Sequence, residues 1–207
     1  MLGNYLFNKV KRREPHSVAE AQIHFEEGMR LTAEGLFAEA VMELKLATRA
    51  NPNHAEPWVE LGLACHQMGQ FSKAIKAYLA ALEINPKFVT AYKNLGAAYD
   101  ELGQFVTALK VYTNAMILAP QDPELRNDIG LVYFNVGSYN EAIKAFKQAL
   151  DIDTHNARAH YCLGLVYLDL SDVQLATAEH SELVAGNEKH LAFQLLDRIQ
   201  LQTRQAS

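Results

Sequence analysis

Gly28, Gly62, Gly96, Gly130 and Gly164 stand 34 residues apart, and Ala40, Ala74, Ala108, Ala142 and Ala176 keep the same step. A fixed period of that length, with small residues at two phases, specifies stacked helix-turn-helix units. One such unit is too small to bury its own apolar face, so adjacent units must supply the core for one another. The apolar share of 49% is ample for that, and with only 21% charged residues the composition is not that of a disordered chain.

The period divides residues 17–190 into five blocks, 21–54, 55–88, 89–122, 123–156 and 157–190, with an arm at 1–16 before them and residues 191–207 after. The second block carries Trp58, Leu61, Gly62, Cys65, Gly69, Phe71, Ala74, Tyr78, Ala81 and Pro86. The third repeats it with Tyr92, Leu95, Gly96, Tyr99, Gly103, Phe105, Ala108, Tyr112, Ala115 and Pro120. The fourth has Ile129, Gly130, Tyr133, Gly137, Tyr139, Ala142, Phe146 and Ala149.

These residues resemble the tetratricopeptide repeat (TPR) family, whose pattern is W-x2-L-G-x2-Y, then A-x3-F, then P. The resemblance covers residues 21–190. It implies an all-α fold, a right-handed superhelical solenoid of TPR helix-turn-helix repeats closed by a C-terminal capping helix.

Each phase has a physical reason. Glycine at the eighth position of a block and alanine at the twentieth let paired helices approach closely, while large side chains at positions four, eleven, seventeen and twenty-four fill the gaps. Gly35, Gly69, Gly103 and Gly137 sit where the first helix must turn, in a left-handed conformation that glycine adopts without steric cost. Pro52, Pro86 and Pro120 end second helices. Asp122-Pro123 is a cap followed by a first-turn proline. Ser17-x-x-Glu20 forms a capping box that predicts a helix from about Val18.

The ends depart from the pattern. The first block has His24 and Glu27 where an aromatic and a leucine are expected. The fifth has Ser171 for the turn glycine, His180 for the aromatic, Leu183 for alanine and Glu188 for proline. Leu191, Leu195, Leu196 and Ile199, with Phe193, predict a final helix that caps the last repeat, and the tail beyond about Leu201 is expected to fray.

The net charge of −5 argues against nucleic-acid binding, which calls for a basic balance or stripe. Cys65 and Cys162 lie almost three repeats apart and form no CxxC pair, so they read as two reduced thiols, with Cys65 in a core position. No apolar run is long enough to span a membrane, and the first residues lack the charge order and cleavage site of a signal peptide, so a cytoplasmic protein is expected. No nucleophile, metal or phosphate-loop motif occurs, and the glycines belong to the repeat. His155 and His160 lie close in sequence with no third ligand, and read as solvated or partly packed. The chain is therefore expected to be no enzyme and to need no cofactor or metal.

In the TPR family, first helices line a concave face that binds peptides through positions two, five, six, nine, twelve and thirteen of each block. Carried over by register, position six holds Glu26, Glu60, Asn94, Asp128 and Cys162. Position nine holds Met29, Leu63, Ala97, Leu131 and Leu165. Position twelve includes His66, Asp100, Phe134 and Leu168, and position thirteen includes Glu101. Position five adds Lys93, Asn127 and Tyr161, and Glu56, Glu124 and Arg158 stand at position two. The inferred groove joins an apolar strip, with Phe134 and Leu168 exposed in it, to an acidic one in which Lys93 and Arg158 are the basic exceptions. It suits a basic, amphipathic partner segment; ordinary solvated acidic positions are the alternative. The subtype that clamps a C-terminal carboxylate is excluded, because Phe25, Met29 and Glu60 stand where it needs lysine and asparagine. On the second helices, Lys76, Lys110 and Lys144 share one phase and read as a solvated face.

The arm joins Leu2, Tyr5, Leu6, Phe7 and Val10 to Lys9, Lys11, Arg12 and Arg13. Three readings stay open for it: a helix capping the first block, a weak peripheral membrane or partner anchor, or a segment docking in the groove of its own or a neighbouring chain to build homo-oligomers. The expected function is that of a protein–protein interaction adaptor or scaffold. A self-assembling scaffold and a non-catalytic accessory subunit of an enzyme complex are the alternatives.

Overall fold

The structure is a computed structural model and describes residues 18–205. Those residues form eleven α-helices and no strand. In order they are α1 (Val18–Ala33), α2 (Phe37–Ala50), α3 (Ala55–Gln67), α4 (Phe71–Ile84), α5 (Val89–Glu101), α6 (Phe105–Leu118), α7 (Pro123–Asn135), α8 (Tyr139–Ile152), α9 (Ala157–Asp169), α10 (Val173–Ala185) and α11 (Lys189–Gln205). The arm and Ser17 of the capping box lie outside the described residues.

The turn chemistry follows the residues that predict it. Gly35, Gly69, Gly103 and Gly137 have φ of 76°, 68°, 69° and 74°. At each the chain folds back so that the next N–H reaches a carbonyl of the last helical turn, as from Gln70 N to Cys65 O at 2.9 Å. Ser171 takes the same turn at φ 61°, and Asp172 N reaches Tyr167 O at 2.8 Å. A serine thus holds a conformation that costs an L-residue more than it costs glycine. Asp122 caps α7 by accepting from Glu124 N at 2.9 Å, with Pro123 in the first turn. Asn156 caps α9 by accepting from Ala159 N at 2.9 Å.

The chain divides between Ala98 and Tyr99 into two compact units. In the first, α1 packs on α2 and α3, α2 on α3, and α3 on α4. Its core includes Phe25, Leu44, Val59, Leu61, Cys65, Tyr78 and Leu95. In the second, α6 packs on α7, α7 on α8 and α9, α8 on α9, and α10 and α11 close over α9. Its core includes Tyr112, Leu125, Val132, Phe146, Leu163, Val166, Tyr167 and Leu195.

The small residues at position eight work by direct contact. A Cβ built on Gly28 would lie 2.6 Å from Leu44 Cγ, one on Gly130 2.6 Å from Phe146 Cε1, and one on Gly62 would run into the Tyr78 ring. In each case the intruded side chain is the position-twenty-four residue of the same block, and it is fully buried. Burying one such side chain contributes about 1.5–3 kcal/mol.

The fifth block breaks this pairing. His180 occupies position twenty-four and is only half-buried. The slot over Gly164 is filled instead by Leu195 of α11, whose Cδ2 lies 2.5 Å from where a Cβ would stand. So α11 does more than shield the last repeat from solvent: it supplies the side chain that the fifth block lacks. The described helix also runs past Leu201, beyond which fraying is expected. α11 continues to Gln205, Ile199 is buried, and Gln202 Nε2 donates to Leu168 O of α9 at 2.8 Å.

Candidate functional site

The side chains expected in a groove lie on α1, α3 and the start of α5 in the first unit, and on the end of α5, α7 and α9 in the second. The two sets differ.

In the first unit the face is open. Met29 is 37% exposed, and Leu63 beside Glu60 on α3 is half-buried. Glu26 is exposed and accepts from Gln22 Nε2 at 2.8 Å on its own helix. Lys93 and Asn94 are half-buried at the start of α5. His66 turns its ring edge-on to Phe71, with centroids 5.1 Å apart, and its Nε2 is buried without a partner. Glu60 is half-buried, and burial alone raises its pKa, with no partner's charge or hydrogen bond to offset the cost of desolvation. Tyr78, beneath Gly62, keeps a buried hydroxyl that finds no partner. Burial chiefly raises its pKa, with the charges of Cys65 and Glu60 adding to the effect.

In the second unit the polar side chains of the corresponding face bond to one another. Arg158 of α9 donates from Nη1 to Glu124 Oε2 and from Nη2 to Asp128 Oδ1, each at 2.8 Å. Asn156 Nδ2 donates to Glu124 Oε1 at 2.9 Å, and Asn127 Nδ2 donates to Asn156 Oδ1 at 2.8 Å. Burial pushes the Glu124 pKa up, but the hydrogen bonds from Asn156 and Arg158 and the Arg158 charge outweigh it, so the carboxyl titrates below its ordinary value. Burial would lower the Arg158 pKa, and the charge of Asp128 with the Glu124 and Asp128 hydrogen bonds holds it raised. Arg158 therefore offsets one of the two negative charges in the acidic strip expected through Asp128.

Two further expectations are corrected here. Asn127 is 0% exposed and belongs to this network, out of reach of a partner. Leu168, expected in the exposed apolar strip, is 6% exposed and lies in one core cluster with Leu195 and Ile199 of α11. Phe134 is half-buried against Tyr139, with ring centroids 6.0 Å apart, and Leu131 and Tyr161 are also half-buried. Asp100 accepts from Asn135 Nδ2 at 3.0 Å; burial first, and the Glu101 charge with it, raise its pKa against that bond. Glu101 is exposed.

The register reading missed two devices. The Glu124–Arg158 pair was visible as opposite charges at one phase, 34 residues apart. The other device lies at position four, assigned above to gap filling. Trp58 Nε1 and Arg126 Nη2 donate to the carbonyls of Pro52 and Pro120 at 3.1 and 3.0 Å, and His160 Nε2 lies 3.1 Å from Thr154 O. Each side chain ties down the loop carbonyl six residues before it. His24 and His160 also meet Glu43 and Glu179, both at 2.7 Å, which fastens the first helix of a block to its second.

Both cysteines are free and buried; burial raises the Cys65 pKa and pushes Cys162 up to about 11, which makes them poor nucleophiles at neutral pH. Among the described residues no three His, Cys, Asp or Glu side chains converge as a metal site. No described helix is long and apolar enough to cross a membrane. Lys76, Lys110 and Lys144 are exposed on α4, α6 and α8.

The fold is shared with solved proteins. A MamA fragment from Desulfovibrio magneticus RS-1 is 24% identical, with 82% of this chain and 96% of that chain covered at a TM-score of 0.70. A thermophilic TPR protein of Thermus thermophilus is 22% identical, with 86% and 98% covered at a TM-score of 0.73. YrrB, described as a TPR protein with an unusual peptide-binding site, is 20% identical, with 84% and 90% covered at a TM-score of 0.61. The sequence matched no curated protein. It does match the family descriptions "TPR repeat" over residues 62–103 and 133–171 and "Tetratricopeptide repeat" over 91–126. With the glycine turns and the helix pairs in one register, the chain belongs to the tetratricopeptide repeat family.

Proposed function

We propose that this chain is a non-catalytic interaction module that holds a segment of a partner protein on the exposed faces of its first helices. The observation that carries the reading is the first unit's face, where Met29, Leu63 and Glu60 remain accessible on helices whose opposite sides are buried. An apolar pair beside a carboxylate suits an amphipathic segment with basic residues. Several modest contacts along such a face give an affinity set by preorganisation more than by area. The second unit contributes less charge, because Arg158 already occupies Glu124 and Asp128.

Affinity capture with the intact chain, followed by mass spectrometry, tests this. Leu63→Asp should remove the principal captured protein, whereas Lys76→Glu on α4 should leave it bound. Capture of the same protein by both variants would place the interaction elsewhere.

A further inference from the structure

Position six of a block and position two of the next make a pair. In the second unit the pair is Asp128 and Arg158, joined at 2.8 Å. In the first unit the same two phases hold Glu60 and Thr90. Thr90 is exposed and brings no charge, and no described group satisfies Glu60. The wholly buried Tyr78 hydroxyl, near enough to feel the Glu60 charge, is also without a partner. Of the three carboxylates at position six, Glu26 accepts from Gln22 and Asp128 from Arg158, and Glu60 alone has no such donor among the described residues. A half-buried carboxylate with no cation is costly, and a guanidinium from outside would remove that cost.

We infer that Glu60 is an arginine-recognition position: a partner segment brings an arginine to Glu60 on α3, taking there the place that Arg158 takes on Asp128, with Leu63 beside it receiving an apolar neighbour of that arginine. This rests on the proposed use of the first-helix face and names the residue type it selects. Arginine fits better than lysine, since Arg158 shows the planar fork bridging two acceptors at the equivalent position.

The test uses the full-length chain and a short, fluorescently labelled, acetylated peptide of repeated alanine, leucine and arginine. A second peptide carries citrulline at each arginine, which keeps the shape and removes the charge. Affinities are read by anisotropy for the wild type, Glu60→Gln, Glu83→Gln on α4 and Leu63→Asp. Glu60→Gln should weaken the arginine peptide about tenfold. It should leave the citrulline peptide unchanged, and Glu83→Gln should change neither. Equal losses in Glu60→Gln and Glu83→Gln would overturn the inference in favour of diffuse charge. Loss in Leu63→Asp without loss in Glu60→Gln would overturn it while leaving the face as the binding site; no effect of either variant would overturn both. If an Arg12→Gln/Arg13→Gln chain bound the peptide and the wild type did not, the chain's own arm would be the occupant, and the assignment to a partner would fall.

Discussion

At the scale of single residues, two carboxylates on equivalent helices obey opposite rules. Glu60 has a pKa raised by burial, so its neutral form suits the fold: any stability it lends is complete below the ordinary carboxylate pKa and is lost as pH rises through the folded value. Glu60→Gln should therefore raise Tm at neutral pH, with the gain shrinking as pH falls towards the ordinary value. Glu124 has a lowered pKa through Asn156 and Arg158, so its contribution is present above the ordinary value and is lost as pH falls through the folded one. Glu124→Gln should lower Tm at neutral pH and lose that effect in acid. Thermal melts across that pH range check both, and parallel curves for the two variants would refute the contrast. Gly130 is a third residue with a definite prediction. An alanine there meets the fully buried Phe146 ring, and the overpacking should cost about 1–3 kcal/mol in chemical denaturation.

At the scale of elements, the end of the repeat array is where period and packing part company. The sequence predicts α10 and α11 as helices, and both form. It does not predict that Leu195 of α11 replaces the block's own position-twenty-four side chain over Gly164. A repeat ruler assigns partners by phase, and α11 lies outside the phase. Leu195 is 0% exposed, so Leu195→Ala should cost about 2–5 kcal/mol, read by denaturant unfolding, as a buried leucine does. A cost near zero would mean that α11 is only a solvating cover. The turn before α10 offers the opposite change. Ser171 holds φ 61° where the other turns have glycine, and Ser171→Gly should stabilise by about 1 kcal/mol in the same assay.

At the scale of the molecule, the features readable in the sequence are those with one local cause. The turn glycines, Asp122 with Pro123, and the glycine at position eight each answer to backbone geometry or a single close contact, and each stands where the register places it. The candidate face was legible only as a set of positions. Whether a position is open depends on which side chain stands across from it, and that choice differs between the blocks. Asn127 and Leu168 carry the right phase but are taken by Asn156 and by α11, while Asp128 carries the right charge but is taken by Arg158. Met29 stays exposed, and Glu60 and Leu63 half-buried, on the face proposed to meet a partner.

The first-helix face of the first unit is the proposed seat of the partner. Hydrogen–deuterium exchange of the full-length chain, with and without the captured partner, tests it most directly. A partner seated there should add protection in α1 and α3, greatest around Glu60 and Leu63, and change α8 and α10 little. Protection confined to α8, α10 or α11, with α3 unchanged, would contradict it.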